Sequence, residues 1–226
     1  MTNFAVAEKF LSINGEGLFA GLPAVFIRFR GCNLRCSYCD TAWAQTESCH
    51  AEIMNETEIL DYIRSTSAVC CTLTGGEPVL RDGFDDLCSL LLKENGLRTE
   101  IETNGSADLK ALAELRRCNE DKLPFTMDWK LPSSEMESKM LDSNFDCLTL
   151  TDSVKFVCGS YGDLIRAREI IVKYGLYGKC QTIFSAVYGK IRPDEIVQFI
   201  LDNKLNKSRF QLQLHKFIWD PEKRGV

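Results

Sequence analysis

Three cysteines, Cys32, Cys36 and Cys39, lie on one short polar segment at spacings of four and three residues. Thiolates are soft ligands that suit iron–sulfur clusters and zinc. A [4Fe–4S] cluster contains four irons and usually takes four cysteine ligands, so three thiolates would leave one iron open to a small molecule. The spacing therefore predicts a catalytic cluster rather than a pure electron carrier.

Zinc binding and disulfide formation are the alternatives for these thiols. Cys36 and Cys39 have the Cys-x2-Cys spacing of zinc sites, but no second pair of that kind follows, because Cys70 and Cys71 are adjacent in an apolar run. The chain has 11 cysteines, an odd number, and its first residues show no secretory signal, so disulfides are disfavoured. The spacing favours the cluster and leaves zinc as the alternative.

The composition of this 226-residue chain is that of a globular protein, and we expect a single domain spanning residues 1–226. The net charge of −5 argues against a nucleic-acid partner or an anionic membrane surface. No apolar run approaches the ~20 residues of a membrane span. Together with the missing secretory signal, these features predict a cytoplasmic protein, in a reducing location that suits an oxygen-sensitive cluster.

Segments with strand and helix patterns alternate along the chain. Apolar runs predict strands at Ala24–Arg30, Ala68–Leu73, Arg98–Thr103, Pro124–Trp129, Val154–Cys158, Cys180–Phe184 and Phe210–Leu214. Helical periodicity predicts helices at Glu56–Arg64, which Asn55 can cap, and at Phe84–Lys93, Leu109–Arg116, Asp163–Tyr174 and Pro193–Asn203. The alternation implies a parallel sheet with right-handed crossovers.

Polar motifs stand where the predicted strands end. These are Cys32–Cys39, Gly75–Pro78, Thr103–Gly105, Asp128–Lys130, Ser185 and His215. Sites in parallel sheets and barrels are built at the carboxyl ends of the strands. Turn formation explains any one of these motifs, but not their coincidence at one edge. We therefore expect an α/β fold in which about six mostly parallel strands form an incomplete (β/α) barrel, with short N- and C-terminal additions over its mouth.

The Cys-x3-Cys-x2-Cys segment resembles the cluster motif of the radical S-adenosylmethionine (SAM) superfamily. Its surroundings resemble one family within it, the 7-carboxy-7-deazaguanine synthases of queuosine and other deazapurine pathways. The resemblance covers nearly the whole chain. Its matching segments are Ser12–Gly17, Phe26–Leu34, Cys39–Thr41, Thr74–Pro78, Glu102–Gly105 and Gln213–Trp219.

This resemblance implies a carbon–nitrogen lyase with a [4Fe–4S] cluster, SAM and Mg²⁺ as cofactors. One electron from the cluster cleaves SAM, and the 5′-deoxyadenosyl radical takes hydrogen from C6 of 6-carboxy-5,6,7,8-tetrahydropterin. The pterin ring contracts, ammonia leaves, and 7-carboxy-7-deazaguanine is the product. The implied partners are an external one-electron donor such as a flavodoxin and a second copy of the chain in a homodimer.

The resemblance also implies which residues hold the metals and SAM. Cys32, Cys36 and Cys39 would bind the cluster, and Thr41 would be a Mg²⁺ ligand, since a hydroxyl is a hard oxygen donor. A turn is the alternative role for Thr41. Tyr38 would shield the SAM adenine by stacking, and Gly76 and Glu77 would contact its amino group. Further SAM contacts are assigned to Asp128, Trp129, Lys130 and Ser185.

The implied pterin contacts come from four parts of the chain: Ile13, Asn14, Gly15 and Glu16; Arg28; Thr74; and His215. Glu16 would pair with the amino and ring N–H groups of the pterin. Arg28 is the one charged residue within an apolar strand pattern, and a buried arginine needs a carboxylate partner. That partner would be the substrate carboxylate or, alternatively, a protein carboxylate in a structural ion pair. His215 would contact substrate, with a core histidine as the alternative.

Two other functions remain compatible with the thiol motif. One is a radical SAM activase that generates a glycyl radical on a partner protein, which would need a large docking surface. The other is a non-catalytic zinc or iron–sulfur module, which would cleave no SAM. Neither the motif nor the resemblance implies a separate catalytic acid or base.

Overall fold

The computed structural model describes residues 2–226. Nine strands form one sheet in the order β3-β1-β2-β4-β5-β6-β7-β8-β9. Their bounds are β1 (Asn3–Ile13), β2 (Pro23–Phe29), β3 (Glu52–Asn55), β4 (Cys70–Gly75), β5 (Arg98–Thr103), β6 (Phe125–Asp128), β7 (Ser153–Cys158), β8 (Gln181–Ala186) and β9 (Ser208–Phe210). Because β3 and β9 lie at opposite ends of this order, the sheet is open, as an incomplete barrel requires.

The strands from β2 through β4 to β9 pair in parallel, whereas β1 pairs antiparallel with both β2 and β3. The expected α/β class and mostly parallel, incomplete barrel are confirmed. The sheet is larger than predicted, however, because it contains two antiparallel strands at one edge that the sequence patterns did not indicate.

Helices alternate with the parallel strands. They are α1 (Glu56–Ser65), α2 (Phe84–Leu91), α3 (Lys110–Leu115), α4 (Tyr161–Tyr174), α5 (Pro193–Asp202) and α6 (His215–Ile218). Short 3-10 turns lie at Ala42–Ala44, Pro78–Leu80, Pro132–Ser134, Glu137–Lys139, Asp142–Asp146 and Leu176–Gly178. Asn55 caps α1 as predicted, since its side chain accepts hydrogen bonds from the backbone N–H groups of Thr57 and Glu58. No helix within residues 2–226 has the length and apolar character of a membrane span.

The two faces of the sheet differ in polarity. Phe29, Leu73, Ile101 and Phe156 belong to the main hydrophobic core. The residues that alternate with them include Arg28, Thr74, Glu102 and Lys155, so the inner face of the incomplete barrel is polar towards its mouth. Burial of charged side chains costs free energy of folding, so this polar face is a candidate functional site.

The last predicted strand is wrong in its position. The strand β9 ends at Phe210, and His215 begins the short helix α6 rather than ending a strand. The chain leaves the sheet at Gln211, whose side-chain amide binds both the N–H (2.8 Å) and the carbonyl (3.0 Å) of Gly17. This contact turns the segment after β9 towards the loop between β1 and β2.

Candidate active site

The three motif cysteines lie directly after β2, on a segment that we call the cluster loop (Cys32–Cys39). Contacts with neighbouring strand ends hold this loop in place. The Ser37 hydroxyl donates to the Ser133 carbonyl at 2.6 Å, and the Ser37 N–H donates to the Ser134 carbonyl at 3.1 Å. The Tyr38 hydroxyl donates to the Val157 carbonyl of β7 at 3.1 Å. The loop is therefore docked across the mouth from β2 to β7.

The thiols of the cluster loop are all only partly buried. Burial raises the pKa of Cys32 and of Cys36, so these thiols are protonated at neutral pH until a metal binds them. Among residues 2–226, no three His, Cys, Asp or Glu side chains are gathered as for a single metal ion. Three accessible thiols on one anchored loop suit a cluster, whose ligands bind different irons.

Gly75 and Gly76 pack directly against the start of the cluster loop. A Cβ atom on Gly76 would lie 1.9 Å from the Gly31 carbonyl oxygen, and one on Gly75 would lie 2.2 Å from the Phe29 carbonyl oxygen. The Gly76 N–H donates to Phe29 O at 3.1 Å, and the Glu77 N–H donates to Gly31 O at 3.0 Å. These glycines thus permit contact between two backbones, whatever they also do for a ligand.

The Glu77 carboxylate is fully buried and already has protein partners. It accepts hydrogen bonds from the Thr103 hydroxyl (2.8 Å), the Asn104 N–H (2.6 Å) and the Val79 N–H (3.2 Å). Burial outweighs these donors and raises its pKa to about 7. The side chain ties the glycine turn to the end of β5, and the contact between Glu77 and the SAM amino group stays a prediction.

The predicted SAM residues Asp128, Lys130 and Ser185 lie at the ends of β6 and β8. Lys130 Nζ is 2.9 Å from Asp128 Oδ2. Asp128 Oδ1 and Ser185 Oγ are buried and have no hydrogen-bond partner within residues 2–226. Buried polar atoms are rarely left unpaired, so these two atoms fit a bound polar ligand such as SAM.

The Trp129 side chain points away from this pair. Its ring stacks on Phe145 at a centroid distance of 4.3 Å and belongs to the main hydrophobic core. Residues that follow one another in a strand face opposite sides. The Trp129 ring is thus part of the core, and the predicted contact of this residue with SAM stays a prediction.

Lys155, which sequence reasoning missed, joins the two predicted walls of the site. Its ammonium lies 2.7 Å from Glu16 Oε1 and 3.8 Å from Asp128 Oδ2, and its side chain is 6% exposed. Although burial alone would lower its pKa, Glu16 and Asp128 raise it above the ordinary lysine value. The pocket thus contains a fixed positive charge between a predicted pterin contact and a predicted SAM contact.

The Asn14–Gly17 turn and the segment after β9 meet at the mouth, although they are about 200 residues apart. The Leu214 N–H donates to the Gly15 carbonyl at 2.9 Å, and a Cβ on Gly15 would lie 2.6 Å from His215 Nδ1. Gln213 Nε2 donates to Glu16 Oε2 at 3.3 Å. Burial lowers the pKa of His215, although Glu16 opposes this, which favours the neutral imidazole.

Arg28 lies on the inner face of β2 and pairs with Glu8 of β1, with 3.1 Å between Nε and Oε2. The structural ion pair weighed for this residue is therefore present. This is the only hydrogen bond that the Arg28 side chain makes with residues 2–226, so its terminal Nη atoms have no protein acceptor there.

Thr41, the predicted Mg²⁺ ligand, and its neighbour Asp40 lie directly after the cluster loop. The Thr41 hydroxyl donates to Asp40 Oδ1 at 2.9 Å. Although partial desolvation of its carboxylate opposes them, the Thr41 hydroxyl and the nearby Arg28 and Lys216 cations hold the pKa of Asp40 below its usual value. A carboxylate beside a hydroxyl is a donor set that suits Mg²⁺.

Asn14 is buried below the mouth rather than exposed to it. Its side-chain amide donates to Glu100 Oε2 at 2.7 Å and to Thr72 Oγ1 at 3.1 Å, and its Oδ1 is unpaired. Burial and the neighbouring Glu102 raise the pKa of Glu100 to about 7. Asn14 thus connects the Asn14–Gly17 turn to the buried polar side chains of β4 and β5.

Thr74 is buried on β4, opposite Arg28 in the strand register. Ile13 is the last residue of β1 and is half-buried. Glu100 and Glu102 were missed by sequence reasoning, although two glutamates on either side of Ile101 within a strand were a usable signal.

Comparison with known proteins identifies the family. A sequence profile of the radical SAM superfamily matches residues 26–128. The chain is 50% identical over 224 residues to the 7-carboxy-7-deazaguanine synthase of Clostridium acetobutylicum, which covers 99% of this chain and 100% of that protein. It is 34% identical to the synthase of Chlorobaculum tepidum, over 98% of this chain and 96% of that protein.

The fold is similar to that in the crystal structure of QueE from Escherichia coli. The TM-score is 0.71 at 22% sequence identity, and the match covers 94% of this chain and 95% of that one. The family expected from the cysteine motif and its flanking segments is confirmed by the full-length relatives. The chain therefore belongs to the 7-carboxy-7-deazaguanine synthase family.

Proposed function

We propose that this chain catalyses the radical ring contraction of 6-carboxy-5,6,7,8-tetrahydropterin to 7-carboxy-7-deazaguanine, with loss of ammonia. Its membership in a radical SAM family of synthases with that product supports the reaction. The structural observation that carries the proposal is the meeting of Gly15 and His215 at the mouth. It brings together the predicted pterin contacts from the two ends of the chain.

Glu16, Arg28 and His215 would bind the pterin. Glu16 is held by Lys155 and Gln213, so its carboxylate is oriented before it accepts the amino and ring N–H groups of the substrate. The free Nη atoms of Arg28 would take the substrate carboxylate as a charge-assisted pair. Neutral His215 would close the pocket beside Gly15 and can donate or accept a hydrogen bond.

Cys32, Cys36 and Cys39 would hold the [4Fe–4S] cluster, and Asp128, Lys130 and Ser185 would bind SAM. Once bound, the cluster and SAM supply the electron transfer and radical chemistry. The protein binds and orients the substrate and keeps water away from the reacting carbon. The Thr41 hydroxyl, next to Asp40, would be a ligand for Mg²⁺.

We extend the proposal to the setting of the enzyme. The chain acts as one radical SAM domain, as a homodimer, with an external electron donor such as a flavodoxin, and it is located in the cytoplasm. All 11 cysteines are free, which suits a reducing compartment.

The test is anaerobic turnover. The chain, reconstituted with iron and sulfide, receives reductant, Mg²⁺, SAM and 6-carboxytetrahydropterin, and 7-carboxy-7-deazaguanine is measured by mass spectrometry. Product that requires both SAM and the pterin is expected. SAM cleavage without pterin conversion would refute the substrate and reopen the activase alternative. An intact cluster with no SAM cleavage would refute the enzyme assignment.

Arg28→Ala tests the pterin pocket separately from the cofactors. We expect pterin affinity to fall about 10-fold to 100-fold, the effect of losing a hydrogen-bonded charge pair, with cluster content and SAM affinity unchanged. Glu8→Gln is the matched control, because it removes the protein partner of Arg28 and keeps the guanidinium. Equal pterin affinity in R28A and wild type would leave Arg28 only its structural pair with Glu8.

A further inference from the structure

The side chain of Asn104, which follows β5, touches the first cysteine of the cluster loop. Its Nδ2 lies 3.6 Å from Cys32 Sγ, which is within hydrogen-bonding distance of a sulfur acceptor, and 3.2 Å from Asn33 Oδ1. The Leu34 N–H lies 3.4 Å from the same sulfur. Within residues 2–226, neither Cys36 nor Cys39 accepts such a bond at its sulfur, so the three thiols differ in their surroundings.

The orientation of the Asn104 amide is determined by its other contacts. Asn104 Oδ1 accepts from the Ser106 N–H at 2.9 Å and from the Ser106 hydroxyl at 2.6 Å. A backbone N–H can only donate, so the amide oxygen must face Ser106 and the NH₂ group must face Cys32 and Asn33. Asn33 Nδ2 donates in turn to Ser106 Oγ at 2.8 Å, which closes a consistent ring of hydrogen bonds.

The backbone of Asn104 is equally constrained. Its N–H donates to the buried Glu77 carboxylate at 2.6 Å, and Thr103 donates to the same carboxylate. Asn104 is 7% exposed. Hydrogen bonds to the Asn104 backbone and to its side-chain oxygen therefore hold the amide next to Cys32, and they do so before any cluster binds.

We infer that Asn104 is a positioning residue for the cluster, whose side-chain N–H donates to the Cys32 thiolate and raises the reduction potential of the cluster. The inference rests on the proposed function, in which Cys32 is a cluster ligand. Reduction adds one negative charge to the cluster and its thiolates. An N–H dipole aimed at a ligand sulfur stabilises that charge, and hydrogen bonds to the sulfurs are among the determinants of cluster potential.

Asn104→Ala removes the donor, and Asn104→Asp replaces it with an acceptor of nearly the same shape. Ser106→Ala is the matched control, because it removes a hydroxyl from the ring while the Ser106 N–H still orients Asn104. The readouts are iron and sulfide per chain and the midpoint potential of the reconstituted cluster, obtained by redox titration with detection by electron paramagnetic resonance.

We expect N104A to lower the equilibrium constant for one-electron reduction about threefold to tenfold, a negative shift of up to about 59 mV. N104D should shift it further, and S106A should match wild type. A normally loaded N104A cluster at the wild-type potential, or a loss of iron content without a change in potential, would overturn the inference. If N104A holds no cluster, N104D decides between the same two outcomes. A wild-type chain without a four-iron cluster would overturn the ligand assignment and this inference with it.

Discussion

Gly76→Ala should separate the cluster loop from the end of β4. The added Cβ would lie 1.9 Å from Gly31 O, 2.3 Å from Gly31 C and 2.7 Å from Cys32 N, all backbone atoms that cannot rotate away. Overpacking of this kind costs about 1–3 kcal/mol, and each hydrogen bond broken between the two backbones costs about 1 kcal/mol more. We expect a loss of about 3–5 kcal/mol in the free energy of unfolding.

Gly178→Ala is the matched control, because its Cβ would meet no atom within 4 Å and neither glycine has a positive φ. The assay is thermal unfolding of the cluster-free chain, followed by iron content after reconstitution. For a domain of this size each kcal/mol moves Tm by about 2–4 °C, so G76A should melt about 10 °C below G178A. A G76A chain that melts with the control and holds a full cluster would refute the backbone-contact role of this glycine.

Three further predictions concern the polar interior. Lys155→Met should destabilise the fold by about 3 kcal/mol, because it leaves Glu16 without its buried cation whereas Asp128 keeps Lys130, and chemical denaturation will measure it; equal stability would contradict the role of the Lys155–Glu16 pair. Burial raises the pKa of Glu100 to about 7, above its unfolded value. The free energy of unfolding of the wild type should therefore fall by on the order of 2 kcal/mol as the pH rises from about 4.5 to 7. Glu100→Gln should make that loss smaller, while Glu77, whose pKa is also raised to about 7, keeps its own contribution; an unchanged pH profile would exclude Glu100 as a source. Ser185→Ala should leave Tm unchanged, since its hydroxyl is unpaired, while SAM affinity measured by equilibrium dialysis falls several-fold; unaltered affinity would remove Ser185 from the SAM site.

The parallel core of the fold could be predicted because its strands are continuous apolar runs that end in polar motifs. The strand β5, for example, has the predicted bounds Arg98–Thr103. The strand β1 could not be predicted, because a register shift between Val6 and Glu8 breaks the alternation that identifies a strand. Its partner β3 is only four residues long, too short for a clear pattern.

The candidate site, like the fold, could be predicted only in part from the sequence. The polar motifs that follow the strands could be placed at the mouth, because the carboxyl ends of parallel strands lie at the same edge of the sheet. They did not show which side chains are already engaged by the protein, such as the Glu77 carboxylate and the Trp129 ring. Lys155 was missed because a single lysine within a strand carries no sign of the carboxylates that other strands bring to it.

An open sheet also has two unpaired edges, and these bear on how the chain behaves at high concentration. One edge is β3, four residues long, where Glu52 pairs with Lys9; the other is β9, three residues long, with an exposed Arg209 at its centre. Short, charged edges are poor templates for another strand. The incomplete barrel can thus stay open without inviting edge-to-edge aggregation, and substitutions that lengthen β9 or replace Arg209 with an apolar residue would weaken that protection.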